Sequence, residues 1–265
     1  MALIQHLDPN VRFAQQVDNA RAYVLPFIDR TIPVHQEMNL LDIGCGDGGV
    51  LLPFLEMGCK ATGIELDVEK SNHAKNFLAD FIQTGQAEII NLNIYEEAAL
   101  LDYREKFDII LLKDVIEHIP DQSRFIPYMK QFLKPGGVVY FGFPPWQMPH
   151  GGHQQVCRNR FLSVLPYFHL LPVFLYTGIL RLGGEYQSTI NELLEIKSTG
   201  ISIERFEKLA LSGGYSIIAS THYLINPIYH FKFGWQPREQ FMWLRRIPVL
   251  RNFFTTCVYY LIRKN

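Results

Sequence analysis

The residues best suited to chemistry are a few acids, three histidines and a run of glycines. Residues 39–49 read Asn-Leu-Leu-Asp-Ile-Gly-Cys-Gly-Asp-Gly-Gly. An apolar strand ends there near one acid, Asp42, and turns through Gly44, Gly46 and Gly48, which lack a Cβ, tolerate positive φ and let a ligand lie against bare backbone. An acid at the carboxyl end of an α/β strand faces the crevice where such sheets hold ligands. Glu65, about twenty residues on, ends a second apolar run and can accept from two neighbouring hydroxyls. The imidazoles of His118, His150 and His153 titrate near neutrality and can take a proton.

The glycine spacing admits two cofactors. Gly44, Gly46 and Gly49, with Glu65 as ribose acceptor, satisfy the dinucleotide fingerprint of an NAD(P)-dependent oxidoreductase. The acid-x-Gly-x-Gly-x-Gly form, Asp42 to Gly48, instead resembles motif I of the class I S-adenosyl-L-methionine (SAM) methyltransferases. The resemblance continues through Lys60-Ala-Thr-Gly-Ile-Glu, Phe107-Asp-Ile-Ile-Leu-Leu-Lys-Asp-Val-Ile-Glu-His-Ile-Pro and Phe132-Leu-Lys-Pro-Gly-Gly-Val-Val-Tyr-Phe. Motifs in that order resemble the branch that includes ubiquinone-type and other small-molecule methyltransferases.

The resemblance implies a role for each residue. Asp42 would take the ammonium of SAM and order the loop, the glycines would admit its amino-acid and ribose parts, and Glu65 would hold the ribose hydroxyls. Many relatives accept the adenine amine with an Asp at the end of the third strand. Here that position is Asn93, with Ile94 packing beside it. Backbone near Leu112 and Lys113 would pass the methionine part. Methyl transfer needs a base only if the acceptor must lose a proton. His153, in the Gly-Gly-His-Gln-Gln run, is the first choice and His118 the second. A non-catalytic SAM-binding subunit is the remaining alternative.

The elements that must position these groups alternate strand and helix, which predicts an α/β, Rossmann-like, doubly wound parallel sheet. Strands are expected at 59–66, 88–94, 107–112, 137–143, 215–224 and 255–262 after the first at 39–43. The resemblance implies seven, the last antiparallel. Helices are expected at 50–57, 68–84, 123–133 and 203–211, and Asp8 caps a leading helix over 8–29 that covers the cleft. Residues 1–144 form the SAM-binding core, 145–200 a helical substrate cap, and 201–265 the rest of the fold with a basic helical insertion.

Two segments fall outside the repeat. Residues 161–180 contain no Asp, Glu, Lys or Arg, a length that could span a membrane, but Pro166, Pro172, His169 and Gly178 interrupt it and favour a lid. Residues 227–264 carry seven cations against Glu239, a local charge of +6, beside Trp235, Phe241 and Trp243. Such a face suits an anionic membrane, a phosphorylated substrate or plain solvent. The apolar lid favours a small or lipid-linked acceptor, with an apolar or glycan part and O-methylation foremost. A net charge of −1 argues against a nucleic-acid partner. Four scattered cysteines read as reduced thiols, and no histidine, His6, His35 and His73 included, shows metal-ligand spacing. The opening residues lack a signal peptide's pattern, so the expected place is the cytoplasm, with peripheral contact at the inner membrane face.

Overall fold

The computed structural model describes residues 8–265, apart from the side chains of residues 97, 98 and 100; residues 1–7, His6 among them, lie outside it. The sheet has eight strands in the order β3-β2-β1-β4-β5-β8-β6-β7. These are β1 Asn39–Ile43, β2 Lys60–Glu65, β3 Ala87–Asn91, β4 Phe107–Lys113, β5 Leu133–Phe143, β6 Tyr215–Ile225, β7 Arg238–Glu239 and β8 Cys257–Lys264. Strands β1 to β5 pair in parallel, and β8 runs antiparallel between β5 and β6. The expected antiparallel final strand is therefore present. The eighth strand was not expected: Arg238–Glu239 adds a two-residue antiparallel edge to β6, too short to leave an alternating pattern in the sequence.

Strand alternation sends neighbouring residues to opposite faces. On β8, Cys257, Tyr259 and Leu261 join one core, while Val258, Tyr260 and Ile262 join the other. Both faces are covered, which is why these strands read as nearly continuous apolar runs. Each such side chain contributes roughly 1.5–3 kcal/mol by its burial.

The helices depart from expectation where backbone chemistry interferes. The leading helix starts at its Asp8 cap, whose carboxylate accepts the Asn10 N–H at 2.9 Å. It runs as α1 Pro9–Asn19, loosens to a π turn at Ala20–Val24, and resumes as α2 Leu25–Asp29. Pro26 cannot donate to the ladder, and the wider turn lies just before it. After the glycine loop only α3 Leu52–Glu56 is regular, begun by Pro53. The single helix expected at 68–84 divides at Leu78 into α4 Val68–Phe77 and α5 Ala79–Gln83. Helix α6 Glu97–Tyr103 was not anticipated, and α7 Gln122–Tyr128 is followed by a 3-10 turn at Met129–Gln131.

The charge-free stretch folds as separate short pieces: α8 Arg160–Val164, a 3-10 turn at Phe168–Leu170, and α9 Val173–Leu182, followed by α10 Gln187–Thr199. Among the described residues no helix is long and apolar enough to cross a membrane. Cys157, Leu162, Phe168, Tyr176, Leu180, Ile190 and Leu193 give these pieces a small core of their own. Helix α11 Ile203–Ser212 returns to the sheet, and α12 Ile228–Phe233, α13 Met242–Arg245 and α14 Leu250–Phe253 lie between β6 and β8.

Candidate functional site

A cavity of about 600 Å³ opens at the carboxyl ends of β1, β2 and β4. Asp42, Gly44, Gly46, Glu65, Asn93, Ile94, Lys113 and His118 all line it; Gly48 and His153 do not.

The loop's shape follows from its glycines. Gly44 has φ +73°, and a Cβ there would stand 2.7 Å from Val115 Cγ2. At Gly46 (φ +57°) a Cβ would meet nothing nearer than Gln16 Nε2 at 3.5 Å, so its bare backbone faces open space. Gly48 packs instead against Ala74 and Leu78. Gly49 lets α1 sit on the loop, because a Cβ would meet the Phe13 carbonyl at 2.7 Å, and the Gly49 N–H donates to Gln16 at 3.1 Å.

Asp42 is 1% exposed, and its Oδ2 has no hydrogen-bond partner. Burial, reinforced by the Glu65 charge, pushes its carboxyl well above the usual range. A buried, unpartnered carboxylate beside a bare glycine turn wants a cation or a strong donor. Glu65 accepts the Gly46 N–H at 2.8 Å and the Asp67 N–H at 2.9 Å, one on each oxygen. Its carboxylate is thus fixed at the cavity edge. Cys45, also on the lining, has its thiol pushed well up by burial and then by Asp42, which leaves it inert.

Asp47 was not singled out from the sequence. It is 1% exposed and takes Arg12 Nε at 2.8 Å, Arg12 Nη2 at 3.0 Å and His73 Nδ1 at 3.1 Å. The leading helix, the glycine loop and α4 are pinned together there. Its place inside the glycine run was the available signal, but nothing local named partners tens of residues away.

Asn93 Oδ1 accepts the Tyr95 N–H at 3.0 Å, so the side chain caps a turn while its NH2 and the second lone pair of Oδ1 remain for a ligand. Ile94 is buried beside it. Lys113 is not turned to solvent: its side chain is 8% exposed and its Nζ contacts the Asp114 carboxylate. Burial would lower the ammonium, but Asp114 outweighs it and holds Lys113 above its ordinary value. Asp114 itself has φ +57°.

The histidines meet across the chain. The rings of His118 and His153 lie 4.8 Å apart, edge to face. Burial lowers His118 from its ordinary value despite the Asp114 charge. His153 adopts the left-handed conformation, φ +53°, directly after Gly152 at φ +64°. The turn carrying His118 is tied to the cap, because the Thr199 hydroxyl donates to the Glu117 carbonyl at 2.6 Å and Gln122 Nε2 to the Thr199 carbonyl at 2.6 Å. Glu117 is 5% exposed with neither carboxylate oxygen paired, and burial followed by Asp114 raises it to about 8. No metal set was expected from spacing, yet ligand-capable atoms of Glu117, His118 and His153 lie within 4.8 Å of one another.

Helix α12 forms another part of the wall through Ile228 and Lys232, although the sequence marks Lys232 only as one of the cations of 227–264. Burial lowers the Lys232 ammonium, against the opposing pull of Asp114.

A methyltransferase-domain family model matches residues 15–165, more than half of the chain. A ubiquinone biosynthesis O-methyltransferase of Bartonella tribocorum is 35% identical over 108 residues, 39% of this chain and 40% of that relative. The match thus spans about two fifths of the curated relative's length. Among solved structures, a putative sarcosine dimethylglycine methyltransferase of Galdieria sulphuraria superposes with a TM-score of 0.60 at 14% identity, covering 96% of this chain and 87% of that one. The geranyl diphosphate C-methyltransferase of Streptomyces coelicolor, solved with S-adenosyl-L-homocysteine, gives 0.54 at 12% identity over 91% and 77%. These two likenesses concern the fold. The family match decides between the two cofactor readings of the glycine loop: the chain belongs to the methyltransferase-domain family.

Proposed function

We propose that the protein moves a methyl group from SAM to an oxygen of a small, apolar or lipid-linked acceptor. The observation that carries this reading is the unpartnered Asp42 carboxylate beside the Gly44–Gly46 turn, in a cavity that Glu65 borders. Asp42 holds the ammonium end, Gly46 admits the ligand against its backbone, and Glu65 accepts from the ribose hydroxyls. Asn93 meets the adenine with its NH2 as donor, and Ile94 and Leu66 give that end apolar contact. When bound, SAM supplies an electrophilic methyl on a positively charged sulfur.

The chain's own task at the other end is to align the acceptor and manage its proton. His118 lines the cavity and His153 supports its ring. Kept neutral by burial, His118 takes the acceptor's hydroxyl proton on a ring nitrogen as the new O–C bond forms and the S–C bond breaks. Lys113, its charge balanced by Asp114, and Lys232 line the same cavity and can donate hydrogen bonds to the acceptor oxygen as it loses its proton. The core up to residue 144 holds SAM, the insertion before β8 adds Ile228 and Lys232 to the wall, and the cap at 145–200 reaches the site through His153 on the His118 ring. The charge-free stretch 161–180 of the cap favours an acceptor with an aromatic, polyprenyl or acyl part.

Calorimetry separates the possibilities. Micromolar binding of S-adenosyl-L-homocysteine with no response to NADH, together with transfer of labelled methyl to an organic-phase acceptor, is the expected result. Binding without transfer to any acceptor in an extract would leave a non-catalytic SAM-binding subunit.

A further inference from the structure

We propose that the insertion between β6 and β8 is a docking face for an anionic lipid bilayer, which brings the acceptor side of the cavity to the membrane. From 233 to 254 the chain exposes Trp235 (57%), Phe241, Met242 (70%) and Trp243 (64%), with Ile247 and Val249 beyond them. Large apolar side chains at this density are ordinarily buried against a partner. Residues 226–256 contain five basic residues, Lys232, Arg238, Arg245, Arg246 and Arg251, against the single acid Glu239.

The cations divide by task. Arg251 is committed to Glu204 and Glu207 at 2.8 and 2.6 Å, and Arg245 to the Ser220 carbonyl at 2.7 Å, so these two hold the insertion on the fold. Arg246 is exposed, and Arg238 lies over the Phe241 ring at 4.9 Å, with Phe241 stacked on Trp243 at 6.3 Å. Guanidinium groups interleaved with exposed indole and phenyl rings match the headgroup layer of a bilayer, where rings enter the interface and cations meet lipid phosphates. Arg238 and Arg246 are the cations left exposed on this face, against Glu239, and that pairing of guanidinium with ring selects anionic lipid.

The face adjoins the site. Gly234 ends α12 at φ +73°, and Trp235 then packs on Phe233 and Tyr229 at 5.6 and 6.0 Å. The same helix lends Ile228 and Lys232 to the cavity wall. A bilayer seated on Trp235 therefore lies one helical turn from the wall that meets the acceptor. The proposal rests on the reading of an apolar acceptor for its purpose, but its test does not.

The full chain is floated with vesicles of phosphatidylcholine alone and of phosphatidylcholine doped with phosphatidylglycerol, at low and high salt. Wild-type protein is expected to float with the anionic vesicles at low salt and to be released by salt. The triple variant Trp235→Ser, Phe241→Ser, Trp243→Ser should lose roughly tenfold or more of that partitioning, and Arg238→Gln with Arg246→Gln about as much, on anionic vesicles only. Both variants should bind S-adenosyl-L-homocysteine as wild type does, which shows that they fold. Wild-type protein that ignores anionic vesicles, or folded variants that float as well as wild type, overturns the proposal. So does a wild-type dimer that the triple variant dissociates, since the face would then belong to a second copy.

Discussion

The two ends of the cavity are built by different means. At the SAM end, Asp42, Gly44, Gly46 and Glu65 come from two adjacent parallel strands and the turn between them, held by short backbone bonds such as Gly44 N–H to the Ile64 carbonyl at 2.8 Å. At the other end, His118 and Lys232 reach the cavity wall from distant segments, and His153 of the cap packs on the His118 ring from behind. One end is a local structure built within two neighbouring strands; the other is a tertiary assembly of distant segments. Substitutions at the two ends should therefore separate cleanly in donor binding and turnover.

The largest separation is expected at His118. His118→Gln should lower turnover by about 10²–10⁴-fold, the usual contribution of a general base, with S-adenosyl-L-homocysteine affinity unchanged. Because burial lowers this imidazole, the acid limb of kcat/KM should fall at a pH below its ordinary 6.5, and rate should rise with pH through that limb and then level. A donor affinity that falls in step with turnover would break the comparison.

Asp42→Asn tests the opposite end. Loss of a charge-assisted hydrogen bond worth about 1.5–3 kcal/mol should weaken donor binding about 10- to 100-fold in calorimetry. Turnover at saturating donor should change far less.

Arg12→Met probes the scaffold beneath that end. It takes the guanidinium from buried Asp47, which keeps its contact with His73, and should cost about 2 kcal/mol, lowering Tm by about 4–8 °C in a chain of this size. Melting with and without S-adenosyl-L-homocysteine checks it.

At Glu117 the expected effect appears only as a pH dependence of stability. Its carboxyl holds a proton in the folded protein up to about 8, whereas it would ionise near 4.5 when unfolded. The folded state then binds the extra proton, so this group's contribution to stability declines as pH rises between those values. Glu117→Gln should flatten that decline in denaturant midpoints measured from pH 5 to 8.

The SAM end was legible because its signals are local. A strand of Leu40, Leu41 and Ile43, an acid, and glycines that alone accept the required φ occupy eleven consecutive residues. The alternating elements implied the parallel sheet, and the family resemblance its antiparallel closing strand. Boundaries moved where a proline or a cap intervened, as at Pro26 and Leu78, and the two-residue β7 was too short to register.

What the chain determines by itself is which backbone turns are possible and which faces must be apolar, since both depend on neighbours within a few positions. What only the tertiary structure decided is which distant groups share a volume. His118 against His153, Arg12 and His73 on Asp47, and α12 as a wall of the cavity all require long loops to close. Closure is governed by the packing of whole elements, and a residue's type and local spacing carry no record of the partner that packing will bring.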